Sequence, residues 1–217
     1  MKQIKIYHGI ILEQFLNYIL LLAVAYLFGS FPSAYLLIKL KTKKDIRTLG
    51  SGNVGALNAL RSGKSKIVAL IVLVLDLLKG ALPAWYFAHV QQADFLIQVT
   101  VVSGVLLGHV YPVWLRFKGG RGLAVVAGAL LVIQPILVGI WLGFWLAFYA
   151  LIGKHIVASL IATFLLPMVV YFMGEPYFSK DVLLMILPVC MLVFQRHLER
   201  LPDLVEEKRM TINNGEA

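Results

Sequence analysis

The sequence predicts an all-α integral membrane protein with about seven transmembrane helices. Of its 217 residues, 60% are hydrophobic and only 14% are charged, and the mean hydropathy is +0.84. Soluble domains carry about 25% charged residues, so this composition excludes an ordinary soluble domain. Apolar runs of about 20 residues, the length that crosses a bilayer as a helix, recur along the chain. We therefore expect one polytopic membrane domain over residues 1–217.

The apolar runs define the helices in order. The first run, Ile10–Lys39, follows an N-terminal lead-in at residues 1–9 and contains Gly29, Ser30 and Pro32, which predict a kinked or tilted helix. The remaining spans are expected at Ile67–Val90, Phe95–Leu115, two positions within Leu123–Lys154 that divide near Gln134 and Pro135, His155–Met173 and Val182–Arg196, before a charged tail at residues 197–217.

The distribution of basic residues predicts the orientation in the membrane. The net charge is +9, and nearly all Lys and Arg residues fall in the tail and in the loops after the first, third and fifth spans. The positive-inside rule then places the N-terminus outside and the C-terminus in the cytoplasm. Two glycine-rich stretches, Gly50–Arg61 and Phe117–Gly122, lie in these basic loops. We expect the membrane helices to bring both stretches together at the cytoplasmic face.

The first stretch, GSGNVGALNALR, has the composition of a phosphate-binding loop that runs into a helix. Glycines let backbone N–H groups converge on an anion, and a helix N-terminus favours negative charge. The stretch lacks the residue order of a nucleotide P-loop. The alternative is a flexible basic loop that only sets topology. The candidate ligand-binding residues here are Gly50, Ser51, Gly52, Asn53, Asn58 and Arg61.

The second stretch, FKGGRG, combines glycines with cationic side chains in the same way. Its three glycines predict a second nest of backbone amides that holds an anion at the start of a helix. The alternative is again a basic loop that follows the positive-inside rule. The candidate phosphate-binding residues here are Lys118, Gly119, Gly120, Arg121 and Gly122.

Four titratable residues near or within the spans are further candidates. Asp76 and Lys79 are three residues apart, so they share a helix face and can form an ion pair. Charges inside a membrane are usually functional or paired, and both a structural role and a binding role for Lys79 stay open. His109 and His197 stand near the ends of their spans. The alternative to a catalytic role is a structural histidine for His109, and for His197 a surface helix end with solvated ion pairs. The five histidines are scattered, and no metal site or cofactor is expected.

Taken in order, these motifs resemble the acyl-phosphate:glycerol-3-phosphate acyltransferase family of bacterial membranes. The resemblance covers about Tyr26–Arg209. It implies seven helices, an external N-terminus, and an active site at the cytoplasmic face of the bacterial inner membrane. The segments that carry it are GSFPSAYLLIK, DIRTLGSGNVGALNALR, LDLLKGALPAW and GHVYPVWLRFKGGRGLA.

The resemblance also implies an activity. Members of the family transfer a fatty acyl group from acyl phosphate to the 1-hydroxyl of glycerol-3-phosphate, which gives lysophosphatidic acid and phosphate in the first step of phospholipid synthesis. They use neither acyl-CoA nor a metal. The expected partners are therefore acyl phosphate, glycerol-3-phosphate and the lipid bilayer, without nucleic acid, and the oligomeric state is left open. The resemblance implies the two glycine-rich stretches as phosphate- and substrate-binding residues, with His109 beside the second. We take Ser51, His109 and His197 as the catalytic candidates and Lys79 as a further binding candidate.

The chain departs from the family pattern at several positions. Leu57 replaces the usual Thr, Arg121 replaces a Lys, and GKHIVAS at Gly153–Ser159 replaces RYVSLAS. The C-terminal motif HRENIxRL diverges most, because one alignment keeps His197 and Glu199 whereas another keeps Glu206. Two other functions stay open: a non-catalytic paralogue that binds phospholipid precursors, and a small organic-phosphate transporter. A transporter would place ionisable residues near the bilayer midplane, whereas most charge here lies in the loops.

Overall fold

The computed structural model describes residues 2–199, with side chains from residue 8 onward, and this part of the chain is all-helical, as predicted. The chain divides into two compact units, Met1–Pro135 and Ile136–Ala217, called here the first and the second unit. The single domain stays a prediction. The helices are α1 (Lys2–Gly29), α2 (Ser33–Thr42), α3 (Ala56–Gly63), α4 (Lys66–Trp85), α5 (Phe95–Val110), α6 (Leu123–Ile133), α7 (Pro135–Ile152), α8 (His155–Met173) and α9 (Lys180–Leu198).

Six helical segments of the described chain are long and apolar enough to cross a membrane. The predicted fourth span is α6, which has 11 residues and is shorter than the membrane-crossing length of about 20. The predicted division of the fourth and fifth spans is confirmed, because α6 ends at Ile133 and α7 begins at Pro135. The six long segments are His8–Thr42, Lys66–Val90, Phe95–Leu115, Pro135–Ile152, His155–Met173 and Lys180–Leu198.

The predicted kink in the first apolar run is a full break. Helix α1 ends at Gly29 and α2 begins at Ser33. Pro32 explains the break, because proline has no N–H for a helical hydrogen bond and pushes the preceding residue out of the helical region. The break brings Ser30 and Ser33, both buried, into the interior of the first unit. The predicted lead-in at residues 1–9 is helical from Lys2 onward.

Glycines set the helix packing of the first unit. A Cβ atom at Gly108 would overlap the carbonyl oxygen of Tyr26, so α5 and α1 are in backbone contact there. Gly128 and Gly80 similarly bring α6 and α4 into backbone contact, because a Cβ on either glycine would overlap a carbonyl of the other helix. Close approach through small residues is the usual way that membrane helices gain packing energy. The helices that hold the candidate site are therefore fixed at backbone level.

Aromatic side chains form many of the contacts of the second unit. Trp141, Trp145 and Tyr149 lie one turn apart on α7 and stack in sequence, with interplanar angles of 9° and 6°. The indole N–H of Trp141 donates to Oγ1 of Thr163 on α8, at 3.0 Å. Trp145 donates to Nδ1 of His155 at 3.1 Å. Between α8 and α9 lies an apolar groove, lined among others by Phe164, Met168, Leu187, Cys190, Met191 and Phe194.

Candidate active site

The loop between α2 and α3 is built around Asn58. This residue is 1% exposed, and its Oδ1 accepts the backbone N–H of Ser51 at 3.0 Å. Its Nδ2 lies 2.9–3.2 Å from three loop carbonyls, those of Ile46, Leu49 and Asn53. A buried amide with this many partners holds the loop in one conformation. The geometry thus gives Asn58 a positioning role, whereas its direct contact with a substrate stays a prediction.

Two glycines turn this loop sharply before α3. Gly50 and Gly52 have left-handed φ angles of 53° and 68°, which favour glycine over other residues. Ser51 lies half-buried between them. Helix α3 begins immediately afterwards at Ala56, and the first amides of a helix have no partners within it. The expected arrangement, a glycine loop that runs into a helix N-terminus, is present.

Cationic side chains of both glycine-rich stretches are available to an anion. The side chains of Arg61 and Lys118 are exposed, and neither side chain forms a hydrogen bond or ion pair with another described residue. Arg121 is half-buried in the second stretch. Arginine can grip a phosphate with paired N–H···O bonds, whereas lysine acts as a point charge. Each glycine-rich stretch therefore carries a cationic side chain that can contact a phosphate, as the sequence predicts.

The second stretch does not form the expected nest of three glycine amides. Gly119 and Gly120 donate their N–H groups to the carbonyls of Val110 and His109, at 3.1 and 3.0 Å. These two amides therefore already have backbone partners, and phosphate binding by Gly119 and Gly120 stays a prediction. The physical reason is the end of α5, whose last carbonyls have no partners within the helix and accept these N–H groups. Gly122 has a φ of 87° and precedes α6.

Arg47, which the sequence analysis did not select, connects the two glycine-rich loops. Its Nη1 donates to the carbonyl of Leu115 at 2.9 Å, ahead of the second stretch. Its Nε and Nη2 donate to the carboxylate of Asp45, beside the first stretch. These side-chain hydrogen bonds lower the pKa of Asp45 and raise that of Arg47. Val54 and Leu115 also belong to one buried apolar cluster, so the loops are adjacent, as expected.

A buried polar cluster lies beside these loops. The Lys79 ammonium contacts Oδ1 of Asp76 at 2.9 Å and Oγ of Ser33 at 3.0 Å, which confirms the predicted ion pair. Ser33 donates to the same carboxylate oxygen at 2.7 Å, and Nδ1 of His109 lies 3.8 Å from it. Ser33, Lys79 and His109 line a small cavity together with Val54. Substrate binding by Lys79 stays a prediction.

Sequence reasoning missed Ser33 as a member of this site. The spacing of Asp76 and Lys79 gave a signal for the pair, but nothing local in the sequence connects either residue with Ser33. That contact depends on the break after α1, which brings the start of α2 to the middle of α4. A serine in an apolar run that also contains a proline is the one available signal, because such a hydroxyl needs a buried partner.

His197 lies in the second unit, whereas the other candidates lie in the first. Its side chain is 1% exposed, and Nδ1 lies 2.8 Å from the carbonyl of Val193 one turn earlier in α9. Arg196 and Glu199 form an ion pair beside it. The catalytic role of His197 stays a prediction. Arg200 and Glu206 of the divergent C-terminal motif, and the tail from residue 200 onward, lie outside the described residues.

Comparison with known proteins defines the class. The family model described as glycerol-3-phosphate acyltransferase matches residues 19–207. The chain is 36% identical over 191 residues to a glycerol-3-phosphate acyltransferase of Endomicrobium trichonymphae, covering 87% of this chain and 92% of that protein. It is 37% identical to the enzyme of the same name from Syntrophomonas wolfei, covering 87% and 95%. The chain belongs to the glycerol-3-phosphate acyltransferase family.

Solved structures agree with this assignment. The chain is similar to the crystal structure of PlsY, an integral membrane glycerol 3-phosphate acyltransferase, in its glycerol 3-phosphate form. The TM-score is 0.74 at 31% identity, and the match covers 88% of this chain and 93% of that one. The lysophosphatidic acid form of PlsY gives a TM-score of 0.72 at 30% identity, with the same coverage. The predicted family and multi-pass membrane class are therefore confirmed.

Proposed function

We propose that this protein transfers a fatty acyl group from acyl phosphate to the 1-hydroxyl of glycerol-3-phosphate. The hydroxyl oxygen bonds to the acyl carbonyl carbon, the bond between that carbon and the phosphate oxygen breaks, and phosphate leaves. The hydroxyl proton goes to the departing phosphate or to water. The products are lysophosphatidic acid and phosphate. The observation that carries the proposal is the pair of cationic glycine-rich loops that Arg47 connects, because both substrates bear a phosphate.

The chemistry requires little beyond binding and orientation. Acyl phosphate is already activated, so the enzyme needs no nucleophile of its own if it aligns the hydroxyl with the carbonyl and stabilises the developing oxyanion. We assign Arg61, Ser51 and the N-terminus of α3 to one phosphate. We assign Lys118 and Arg121 to the other, with the half-buried Arg121 as the bidentate group. Kinetics with each substrate varied identify which phosphate each loop binds.

We place the site at the cytoplasmic face of a bacterial inner membrane, with seven membrane helices and an external N-terminus. The basic loops support this orientation through the positive-inside rule. The contact of Arg47 with Leu115 supports placing both glycine-rich loops on one side. The location of both loops on one side does not depend on whether the short α6 crosses the bilayer, because only α4 and α5 lie between the two loops.

Arginine variants test the activity. Arg61→Ala and Arg121→Ala should each cost about 2–5 kcal/mol of transition-state stabilisation, since each removes a charged partner of a bound phosphate. Arg121→Lys should keep much of the activity, because the family carries Lys there, whereas Arg61→Lys should recover less if bidentate geometry matters. The measurement is kcat/KM for acyl transfer by purified protein, with acyl phosphate or acyl-CoA as donor.

The outcomes separate the candidate functions. We expect turnover with acyl phosphate and none with acyl-CoA. Equal rates with both donors would refute acyl-phosphate dependence. Binding of glycerol-3-phosphate without turnover would indicate the non-catalytic paralogue instead. If both alanine variants fold and turn over at the parent rate, the loops only set topology, and the proposed site is wrong.

Labelling of single cysteines tests the orientation. In a variant with Cys190 replaced, a cysteine at Thr48 beside the first loop should resist an impermeant thiol reagent added to intact cells. A cysteine at Ser179, which is exposed between α8 and α9, should react with it. Permeabilised cells provide the control, since both sites should then react. Strong labelling at position 48 in intact cells contradicts the proposed topology.

A further inference from the structure

His109 occupies an enclosed position between the buried ion pair and the second glycine-rich loop. Its side chain is 8% exposed and stands in the last turn of α5. On one side, Nδ1 lies 3.8 Å from Oδ1 of Asp76, the oxygen that also accepts hydrogen bonds from Lys79 and Ser33. The ring therefore rests against a carboxylate that is itself held by two donors from α4 and α2.

On its other side, the imidazole is in direct contact with Gly120. A Cβ atom added at Gly120 would overlap Nε2, Cε1 and Cδ2 of the ring, so the glycine lies against the imidazole edge. The carbonyl of His109 accepts the N–H of Gly120 at 3.0 Å. One residue of α5 thus fixes Gly120 twice, once through the backbone and once through the ring. Gly120 stands between Lys118 and Arg121, the two cations of the loop.

We propose that His109 is a positioning residue, whose ring is braced by Asp76 and sets the distance of the Lys118–Gly122 loop from the end of α5. The ring acts by its volume and place, and the transfer of the acyl group needs no proton from it. This differs from the catalytic role that the sequence analysis gave to His109. The inference rests on the proposed function only insofar as the loop binds a substrate phosphate.

Steric compensation distinguishes a positioning ring from a catalytic one. Gly120→Ala introduces a methyl group where the ring stands, so the loop must move, and kcat/KM should fall at least about 100-fold. His109→Ala removes the obstacle while Asp76 and Lys79 remain paired. The substrate that the loop binds is identified as the one whose KM rises in Arg121→Ala. For that substrate, His109→Ala should raise KM about tenfold and leave kcat within about threefold. In the His109→Ala background, Gly120→Ala should cost less than about threefold, because contacting residues are non-additive.

Gly119 provides the matched control. The three atoms nearest to a Cβ at Gly119 would be the carbonyl oxygens of His109 and Val110 and Cδ of Pro112, and none of them belongs to the imidazole. Removal of the ring cannot relieve that overlap. Gly119→Ala should therefore be as harmful in the His109→Ala background as in the parent. Rescue at position 120 without rescue at position 119 assigns the effect to the ring itself.

The possible results decide the inference. Equal losses from Gly120→Ala in both backgrounds overturn it, and so does a loss of kcat above about 1,000-fold from His109→Ala with KM unchanged. If Gly120→Ala does not fold alone, recovery of folded, active protein in the double variant supports the inference, and no recovery overturns it. A parent without acyl transfer refutes the proposed function instead. The same non-additivity in the midpoint of thermal unfolding then decides the role of the ring.

Discussion

The two units of the protein use glycine in opposite ways. In the first unit, Gly80 and Gly128 bring α4 and α6 together so closely that a methyl group on either would overlap a carbonyl. In the second unit, Gly139 and Gly143 stand in α7, and apart from the adjacent residues and backbone of α7 itself no described atom lies within 4 Å of a Cβ at either position. In the first unit, the backbones of the two helices therefore cannot shift relative to each other at these contacts. Such rigidity suits helices that hold two substrate-binding loops at a fixed distance from each other.

The units also differ in the polar groups that they bury. The first buries an ion pair, Asp76–Lys79, together with the Ser33 hydroxyl. In the second, the contact between Trp141 and Thr163 joins α7 and α8 through neutral groups. A buried ion pair tolerates the loss of one partner poorly, whereas a lost neutral hydrogen bond costs little. The difference predicts that breaking the Asp76–Lys79 pair costs much more stability than breaking the contact between Trp141 and Thr163.

The largest effect is expected from Lys79→Met. This change leaves the Asp76 carboxylate buried without its cation and should lower the free energy of unfolding by about 3–5 kcal/mol. The double variant Asp76→Leu/Lys79→Met should recover most of this loss, because an apolar pair of similar size avoids the unpaired charge. Equilibrium unfolding in mixed detergent micelles measures both. Lys64→Met, at an exposed loop position, is the control and should change stability little.

A small loss from Lys79→Met would contradict this account of the first unit. It would mean that the buried carboxylate of Asp76 does not depend on Lys79 for its stability. Asp76→Asn then tests whether the charge matters at this position, because that change keeps the shape of the side chain while it removes the charge.

A second contrast tests the glycines directly. Gly128→Ala should lower the free energy of unfolding by about 2–3 kcal/mol, since its methyl group overlaps a backbone carbonyl that cannot move without separating α4 and α6. Gly143→Ala should instead be neutral or stabilise by up to about 1 kcal/mol, because alanine has the higher helix propensity and space is available. The same unfolding measurement applies to both. Equal changes in the free energy of unfolding at the two positions would show that glycine is no more tightly packed in the first unit than in the second.

The hydropathy pattern and the helix-breaking residues predicted most of the helix boundaries. The last two spans were expected at His155–Met173 and Val182–Arg196, and the structure has α8 and α9 at His155–Met173 and Lys180–Leu198. These boundaries are local, because a run of apolar residues and its flanking turns determine them. The break between α1 and α2 was predicted only as a kink, since the strength of a proline effect depends on what the released backbone contacts.

The site was predictable where one short stretch contains all the chemistry. Gly50 and Arg61 belong to such a stretch, and the glycine turn with its helix is present. Prediction failed where long-range contacts decide the role of a residue. The amides of Gly119 and Gly120 looked available in sequence, yet the carbonyls of α5 accept them. Likewise, only folding brings the side chain of Ser33 to Asp76, which is 43 residues away along the chain.

The smallest effect is expected from the hydrogen bond between α7 and α8. Thr163→Val keeps the shape of a side chain that is 2% exposed and removes the acceptor of the Trp141 N–H. Hydrogen bonds between membrane helices contribute about 0.5–1.5 kcal/mol, so the free energy of unfolding should fall within that range. Because the change lies outside the unit that carries the glycine-rich loops, kcat/KM for acyl transfer should stay within about twofold.

Trp141→Phe removes the donor of the same hydrogen bond and isolates its contribution. The double variant should lose less than the sum of the two single losses, since either change alone already breaks the bond. A fall in kcat/KM well beyond twofold for Thr163→Val, with stability little changed, would contradict the contrast between the units. It would show that the second unit also contributes to the reaction, and it would direct attention to the apolar groove that Thr163 lines with Phe164 and Pro167.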